Sequence, residues 1–313
     1  MSRLITVGAA QLGPITLKDS RAMVVTRMLE LMAQAKAIGC KLVVFPELAL
    51  TTFFPCIYMT DQDEIDSFFE TEMPGPETRS LFDAAAKHGI GFYLGYAELT
   101  KEQGRTRRYN TSILVDTTGN IRGKYRKVHL PGFVEPDNRR PIQALEKRYF
   151  EVGDFGFPVS RVFGGIIGMC LCNDRRWPEV YRVMGLKGVE MILLGYNTPD
   201  QNISGFEPVH RRMFHNHLVM QAGAYQNATY VVATAKAGIE EGISMIGGSC
   251  IVAPWGEIIA LAQTLGDELV VAQCDFDHCA FGKETVFNFA KHRRIEHYKI
   301  ICEQTGVVIP EDE

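Results

Sequence analysis

The chain has 313 residues, 46% of them hydrophobic, which is enough apolar material for a large buried core. A formal net charge of -4 and a pI of about 6.1 give no general electrostatic attraction to nucleic acid or to an anionic membrane, and no apolar run is long enough to cross a bilayer. The eight cysteines lie in strand-like and helical segments without a small-domain framework, and the first residues are too strand-like for a signal peptide, so they read as reduced thiols of a cytoplasmic protein.

In chain order, residues 4–11 read as a buried strand. Residues 22–38 have helical spacing, with Val25, Met28, Leu29, Leu31 and Met32 on one face. A short apolar strand follows at 42–45, a helix at 78–87 and a strand at 90–94. Strands at 112–115 and 121–125 flank Asp116-Thr117-Thr118-Gly119-Asn120, a hairpin turn. Further strands fall at 166–171, 191–194, 230–234, 249–252 and 269–272, with a long helical pattern at 208–226. β-α-β alternation followed by hairpins predicts a mixed sheet covered by helices, and the absence of repeats or a Gly/Ser linker favours one domain over residues 1–313. Residues 287–302, with Lys291, His292, Arg293 and Arg294, read as a basic amphipathic helix or arm, a solvated face or subunit contact in an acidic chain.

Three segments share one design, an apolar strand ending in a chemically active residue. Leu42-Val43-Val44-Phe45-Pro46 delivers Glu47. Gly123-Lys124-Tyr125-Arg126 delivers Lys127 and then His129. Gly168-Met169-Cys170-Leu171 delivers Cys172, just before Asn173, Asp174, Arg175 and Arg176 and a helix start at Pro178. Positive charge and free backbone N–H groups there favour the thiolate. Strand ends gather at one edge of an α/β sheet, so these three can meet as base, cation and nucleophile. Singly, each has a plainer reading: a helix cap or surface carboxylate, a solvated lysine, a core cysteine. The combination carries the signal. Cys170 and Cys172 share a Cys-x-Cys spacing but lack a matching Cys/His cluster, so a metal site is not expected.

In these sequence blocks the chain resembles the nitrilase superfamily of carbon–nitrogen hydrolases. Blocks such as Leu145-Glu146-Lys147-Arg148-Tyr149-Phe150, Asn173-Asp174-Arg175-Arg176-Trp177-Pro178-Glu179 and Gly195-Tyr196-Asn197-Thr198-Pro199 are similar to the N-carbamoyl-D-amino-acid hydrolases within it. The resemblance implies a four-layer α-β-β-α sandwich, a homodimer or homotetramer, and no metal or cofactor. It implies a small-molecule N-carbamoyl amino acid as substrate, with Cys172 as nucleophile, Glu47 as general base and Lys127 with the Asn173 N–H as oxyanion stabiliser. Glu146 is then the additional carboxylate that positions Lys127, Arg175 and Arg176 the clamp for a carboxylate, and Asn197, Thr198, His129 and His215 pocket contacts. Alternatives are a β-ureido acid or simple carboxamide substrate, or a non-catalytic scaffold with the same fold. One departure stands out: Ala144 lies where the family commonly carries a histidine, which opens space and removes hydrogen-bonding capacity.

Overall fold

The computed structural model describes residues 2–202 and 207–311. In chain order its strands are β1 (Leu4–Gln11), β2 (Leu42–Val44), β3 (Gly91–Glu102), β4 (Arg105–Val115), β5 (Ile121–Arg126), β6 (Val159–Val162), β7 (Gly165–Leu171), β8 (Met191–Tyr196), β9 (Tyr230–Ala235), β10 (Ala237–Glu240), β11 (Ile243–Ile246), β12 (Cys250–Val252), β13 (Ile258–Leu261) and β14 (Glu268–Asp275). One sheet has the order β14-β1-β2-β3-β4-β5, a second the order β13-β12-β9-β8-β7-β6, and β10 and β11 form a separate hairpin. Each large sheet is parallel at its centre, β1-β2-β3 in one and β7-β8-β9 in the other, and antiparallel at its flanks.

The strand pleat explains the layering. In β1 and β2, Val7, Ala9, Leu42 and Val44 face the second sheet, while Ala10, Val43 and the following Phe45 face the helices Arg21–Ile38 and Arg79–His88. The other side of the second sheet is covered by helices Pro178–Leu186 and Val209–Asn227, through Val180, Tyr181, Met184, Met220 and Ala224. The result is the four-layer α-β-β-α sandwich. Helix ends follow local chemistry: Ser20 caps the Arg21–Ile38 helix by accepting from the Met23 N–H, and Gly39, at φ 92°, closes it.

Two expectations change form. β3 and β4 are far longer than their apolar segments, because the pair runs on to a hairpin at Gln103-Gly104 through the charged stretch Arg105–Arg108. Residues 287–302 do not make one helix. They break into Phe289–His292, Ile295–His297 and Lys299–Glu303, with no buried residue in any of them, because Arg293 takes an extended backbone (ψ 145°).

One side chain bolts the two sheets together beneath the strand ends. The Tyr93 hydroxyl, from β3, donates to the Cys170 carbonyl of β7 at 3.0 Å and accepts from the Gly195 N–H of β8 at 3.2 Å. Tyr93→Phe removes the hydroxyl that ties β3 to the β7–β8 ladder and leaves the Cys170 carbonyl and the Gly195 N–H only their partners within that ladder. It is expected to cost about 1 kcal/mol, read as a lower urea midpoint at unchanged slope; a midpoint equal to wild type would refute the bolt.

Candidate active site

Glu47 follows β2 in a buried bend whose backbone is gripped by both sheets. A Cβ on Gly95 would lie 2.7 Å from Glu47 Cα, and one on Gly195 would lie 2.5 Å from Glu47 N. Only glycine permits that approach. The Ala49 N–H donates to the Gly95 carbonyl at 2.8 Å, and Leu48 is held at φ 44°. The Glu47 carboxylate accepts from Asn110 Nδ2 at 2.8 Å and from the Asn197 N–H at 3.1 Å. Asn197 Nδ2 closes the loop on the Glu47 carbonyl at 2.8 Å.

Lys127 leaves the end of β5 with its backbone fixed on both sides, its N–H on the Asn110 carbonyl (2.8 Å) and its carbonyl on the Gly153 N–H (2.9 Å). Its ammonium donates to Glu47 Oε1 at 2.7 Å and to Glu146 Oε1 and Oε2 at 2.9 and 2.7 Å. The neighbouring Arg126 is turned to a different cluster, with Glu98, Glu102 and Asp154, and stacks over Tyr109. Oxygen and sulfur atoms of Glu47, Glu146 and Cys172 lie within 4.8 Å of one another, and the Lys127 ammonium binds both carboxylates where a metal ion would have to bind them.

Cys172 sits at φ 44°, a left-handed backbone that a non-glycine residue adopts at a cost of ~1–3 kcal/mol. Its surroundings hold it there. Asp174 accepts from the Leu171 N–H (3.0 Å), the Tyr125 hydroxyl (2.7 Å) and the His129 N–H (3.0 Å), tying the ends of β5 and β7. Arg175 Nη1 donates to the Cys172 carbonyl at 2.6 Å. The thiol donates to the Asn197 carbonyl at 3.3 Å. The Asn173 N–H lies in the first turn of the 3-10 segment Cys172–Arg176, too early to have an acceptor within it.

The electrostatics correct one expectation. Burial pushes the Cys172 thiol up, Glu47 adds to this, and Lys127 and Arg175 oppose it without winning. The resting site therefore favours the thiol, because two carboxylates and desolvation outweigh the positive charge close to sulfur. Burial disfavours the Lys127 ammonium, but Cys172, Glu146 and Glu47 together hold it protonated. Burial raises Glu146 to about 7 against the pull of Lys127, and the charge of Glu47 adds to the rise.

These groups open onto a cavity of about 220 Å³ whose lining includes Glu146, Cys172, Asn173, Arg176, Asn197 and Thr198, with Phe53, Pro55, Pro131 and Ala144 as its apolar wall. The paired clamp does not form. Arg175 is buried behind the wall, spending its donors on Asn216 (3.0 Å), the Cys172 carbonyl and Thr198 Oγ1 (2.7 Å), with its face over Tyr196. Arg176 does reach the cavity. It donates to Asn173 Oδ1 at 3.1 Å and, among the described residues, pairs with no carboxylate. Crowding by protein atoms, then Arg175, lower its pKa to about 10, although solvent still reaches it. His129 lies on the far side of Asp174, bonded to it through Nδ1 (2.8 Å) and stacked on Trp177. His215 is on the surface against Glu207. Neither lines the cavity. Arg212, held by Glu207 at 2.7 Å, lines it without having been expected to. Asn197 Oδ1 is buried with no hydrogen-bond partner among the described residues.

A family model described as carbon-nitrogen hydrolase matches residues 6–283. An N-carbamoylputrescine amidase of Arabidopsis thaliana is 29% identical, over 88% of this chain and 89% of its own. A citrullinase of Francisella tularensis is 29% identical, over 84% and 87%. The carbon-nitrogen hydrolase structure from Helicobacter pylori G27 superposes with a TM-score of 0.82 at 23% identity, covering 97% of this chain and 99% of that one.

The raised thiol is measurable without a substrate. The pH midpoint for alkylation of Cys172 by iodoacetamide, mapped by peptide mass with exposed Cys302 as internal reference, is expected above that of an ordinary cysteine. In Glu47→Gln the midpoint should fall by about one pH unit or more, because a negative charge is removed. A midpoint that stays or rises would contradict the assigned electrostatics.

Proposed function

The chain belongs to the carbon–nitrogen hydrolase family, and from that premise we propose that it hydrolyses N-carbamoyl-D-amino acids to the D-amino acid, carbon dioxide and ammonia. Its action on amide or ureido-type bonds follows from the family. The identity of the rest of the substrate is our reading, and one observation carries it: the guanidinium of Arg176, without a carboxylate partner among the described residues, at the cavity wall beside Cys172. A crowded cation with no carboxylate on it among those residues calls for an anion, and a guanidinium suits a carboxylate. A substrate such as N-carbamoylputrescine, whose far end is a free amine, would meet repulsion there. The D preference rests on the sequence resemblance.

The geometry supports a thiol mechanism. Glu47 takes the Cys172 proton as sulfur attacks the ureido carbonyl, so a thiol whose resting form is favoured becomes nucleophilic at the moment of attack. The developing oxyanion is stabilised by the Lys127 ammonium and the Asn173 N–H, each such donor worth about 3 kcal/mol in a dry site. Glu146 holds Lys127 with two hydrogen bonds of its own beside the one to Glu47. The carbonyl–nitrogen bond breaks, ammonia leaves with the proton from Glu47, and the amino acid remains as an S-linked thiocarbamate. Water, deprotonated by Glu47, attacks that carbonyl, the carbon–sulfur bond breaks, and Glu47 returns the proton to the departing Cys172 thiolate. The carbamic acid released loses carbon dioxide.

Cys172→Ala is expected to abolish ammonia release from a paired D/L panel of carbamoyl amino acids, with wild type turning over the D series. Wild type silent on every ureido and amide substrate would end the enzymatic reading. Arg176→Gln should raise KM for these acids by about 10- to 100-fold, the worth of one charge-assisted hydrogen bond, while turnover of the matching neutral amides changes little. Equal effects on acid and amide would remove Arg176 from carboxylate binding.

Ala144 widens the apolar wall next to Pro131. Ala144→His is expected to lower kcat/KM for bulky side chains more than for small ones. Unchanged kinetics on every substrate would show that the wall does not select.

A further inference from the structure

A second buried lysine–glutamate pair lies behind the cavity wall. Lys236 and Glu240 have side chains 0% and 1% exposed, and Nζ meets Oε2 at 3.0 Å. Nothing in the mechanism above uses them. Lys236 Nζ also donates to the Thr51 carbonyl at 2.7 Å, and Glu240 Oε2 accepts from the Phe53 N–H at 2.8 Å. Glu240 Oε1 accepts from the Ile15 N–H at 3.0 Å, which anchors the pair to the segment after β1.

The pair therefore grips the chain on both sides of Thr52. The gripped segment starts at Glu47, passes through the left-handed Leu48 and ends at Phe53, a wall residue of the cavity. Its residues are buried throughout, so their backbone groups cannot turn to water. The charge lies close as well: Glu47 and Cys56 are among the groups that act on Lys236, against a burial that lowers its pKa. A buried ion pair adds little net stability compared with apolar residues of the same shape, but losing one partner alone leaves a costly lone charge.

We propose that Lys236 and Glu240 are positioning residues of the reaction, holding the segment from Leu48 to Phe53 so that Glu47 stays aimed at Cys172 and Phe53 keeps the cavity wall in place. This rests on Glu47 acting on the Cys172 thiol, as in the proposed mechanism.

The test uses the full chain with Glu240→Gln, Lys236→Met and the double variant, which leaves no lone buried charge. Folding is checked by circular dichroism, and all kinetics are run well below each melting temperature. Glu240→Gln and the double variant are expected to stay folded and lose at least tenfold in kcat/KM. They should also shift the alkylation midpoint of Cys172 downward, as Glu47 relaxes away from sulfur. The alkylation arm needs no substrate, so it reads the positioning even if carbamoyl amino acids prove to be the wrong substrates. Folded variants with wild-type kcat, KM and alkylation profile would overturn the proposal. So would a double variant that cannot fold, since the pair would then be a condition of folding rather than of alignment.

Discussion

The structure turns on one ammonium held between two carboxylates in a dry space. Lys127 is bonded to Glu47 and Glu146, and all three are buried. Any member alone would be an uncompensated charge in a low-dielectric interior. Together they satisfy one another, and the net negative balance falls on the adjacent thiol. That is why Cys172 rests protonated next to a lysine and near an arginine. The arrangement suits a nucleophile that gives up its proton to a specific base rather than one stored as thiolate.

Keeping such a cluster fixed requires rigid support, and most of the surrounding architecture supplies it. The two sheets pack β2 face to face with β8 and β9, and β4 with β7. Gly95 and Gly195 let the Glu47 backbone slot between sheets, and Tyr93 ties the sheets below it. Asp174 collects the ends of β5 and β7, so the residues just beyond them, Lys127 and Cys172, have a fixed relation. The strained φ at Cys172 is tolerable because Arg175 and Asp174 grip the backbone on either side.

The positions of Glu47 and Cys172 were legible because each follows a strand whose apolar run is plain, whereas β5 before Lys127 is half charged, so Lys127 was legible through the resemblance of its block. The strands of β3 and β4 beyond that run were not, because a charged hairpin can be held by its partner strand alone. Arg175 and Arg176 look equivalent in sequence. In a 3-10 turn consecutive side chains point about 120° apart, so one enters the interior and the other the cavity. Asn110, Asp174, Gly95 and Gly195 carry no signal on their own, because their importance lies in what they touch across large sequence separations. The histidines misled for the same reason: His129 and His215 stand near pocket segments in the chain, yet their hydrogen bonds turn them to Asp174 and Glu207.

By itself the sequence determined the layered α/β class, the strand ends that present Glu47, Lys127 and Cys172, and the family, since periodicity and local motifs are carried by neighbouring residues. Only the tertiary structure decided the protonation preference of the thiol, which arginine is free to meet a substrate, and which buried groups hold the machinery in line. Those depend on distances and desolvation between residues far apart in the chain, and such quantities exist only once the two sheets have closed on each other.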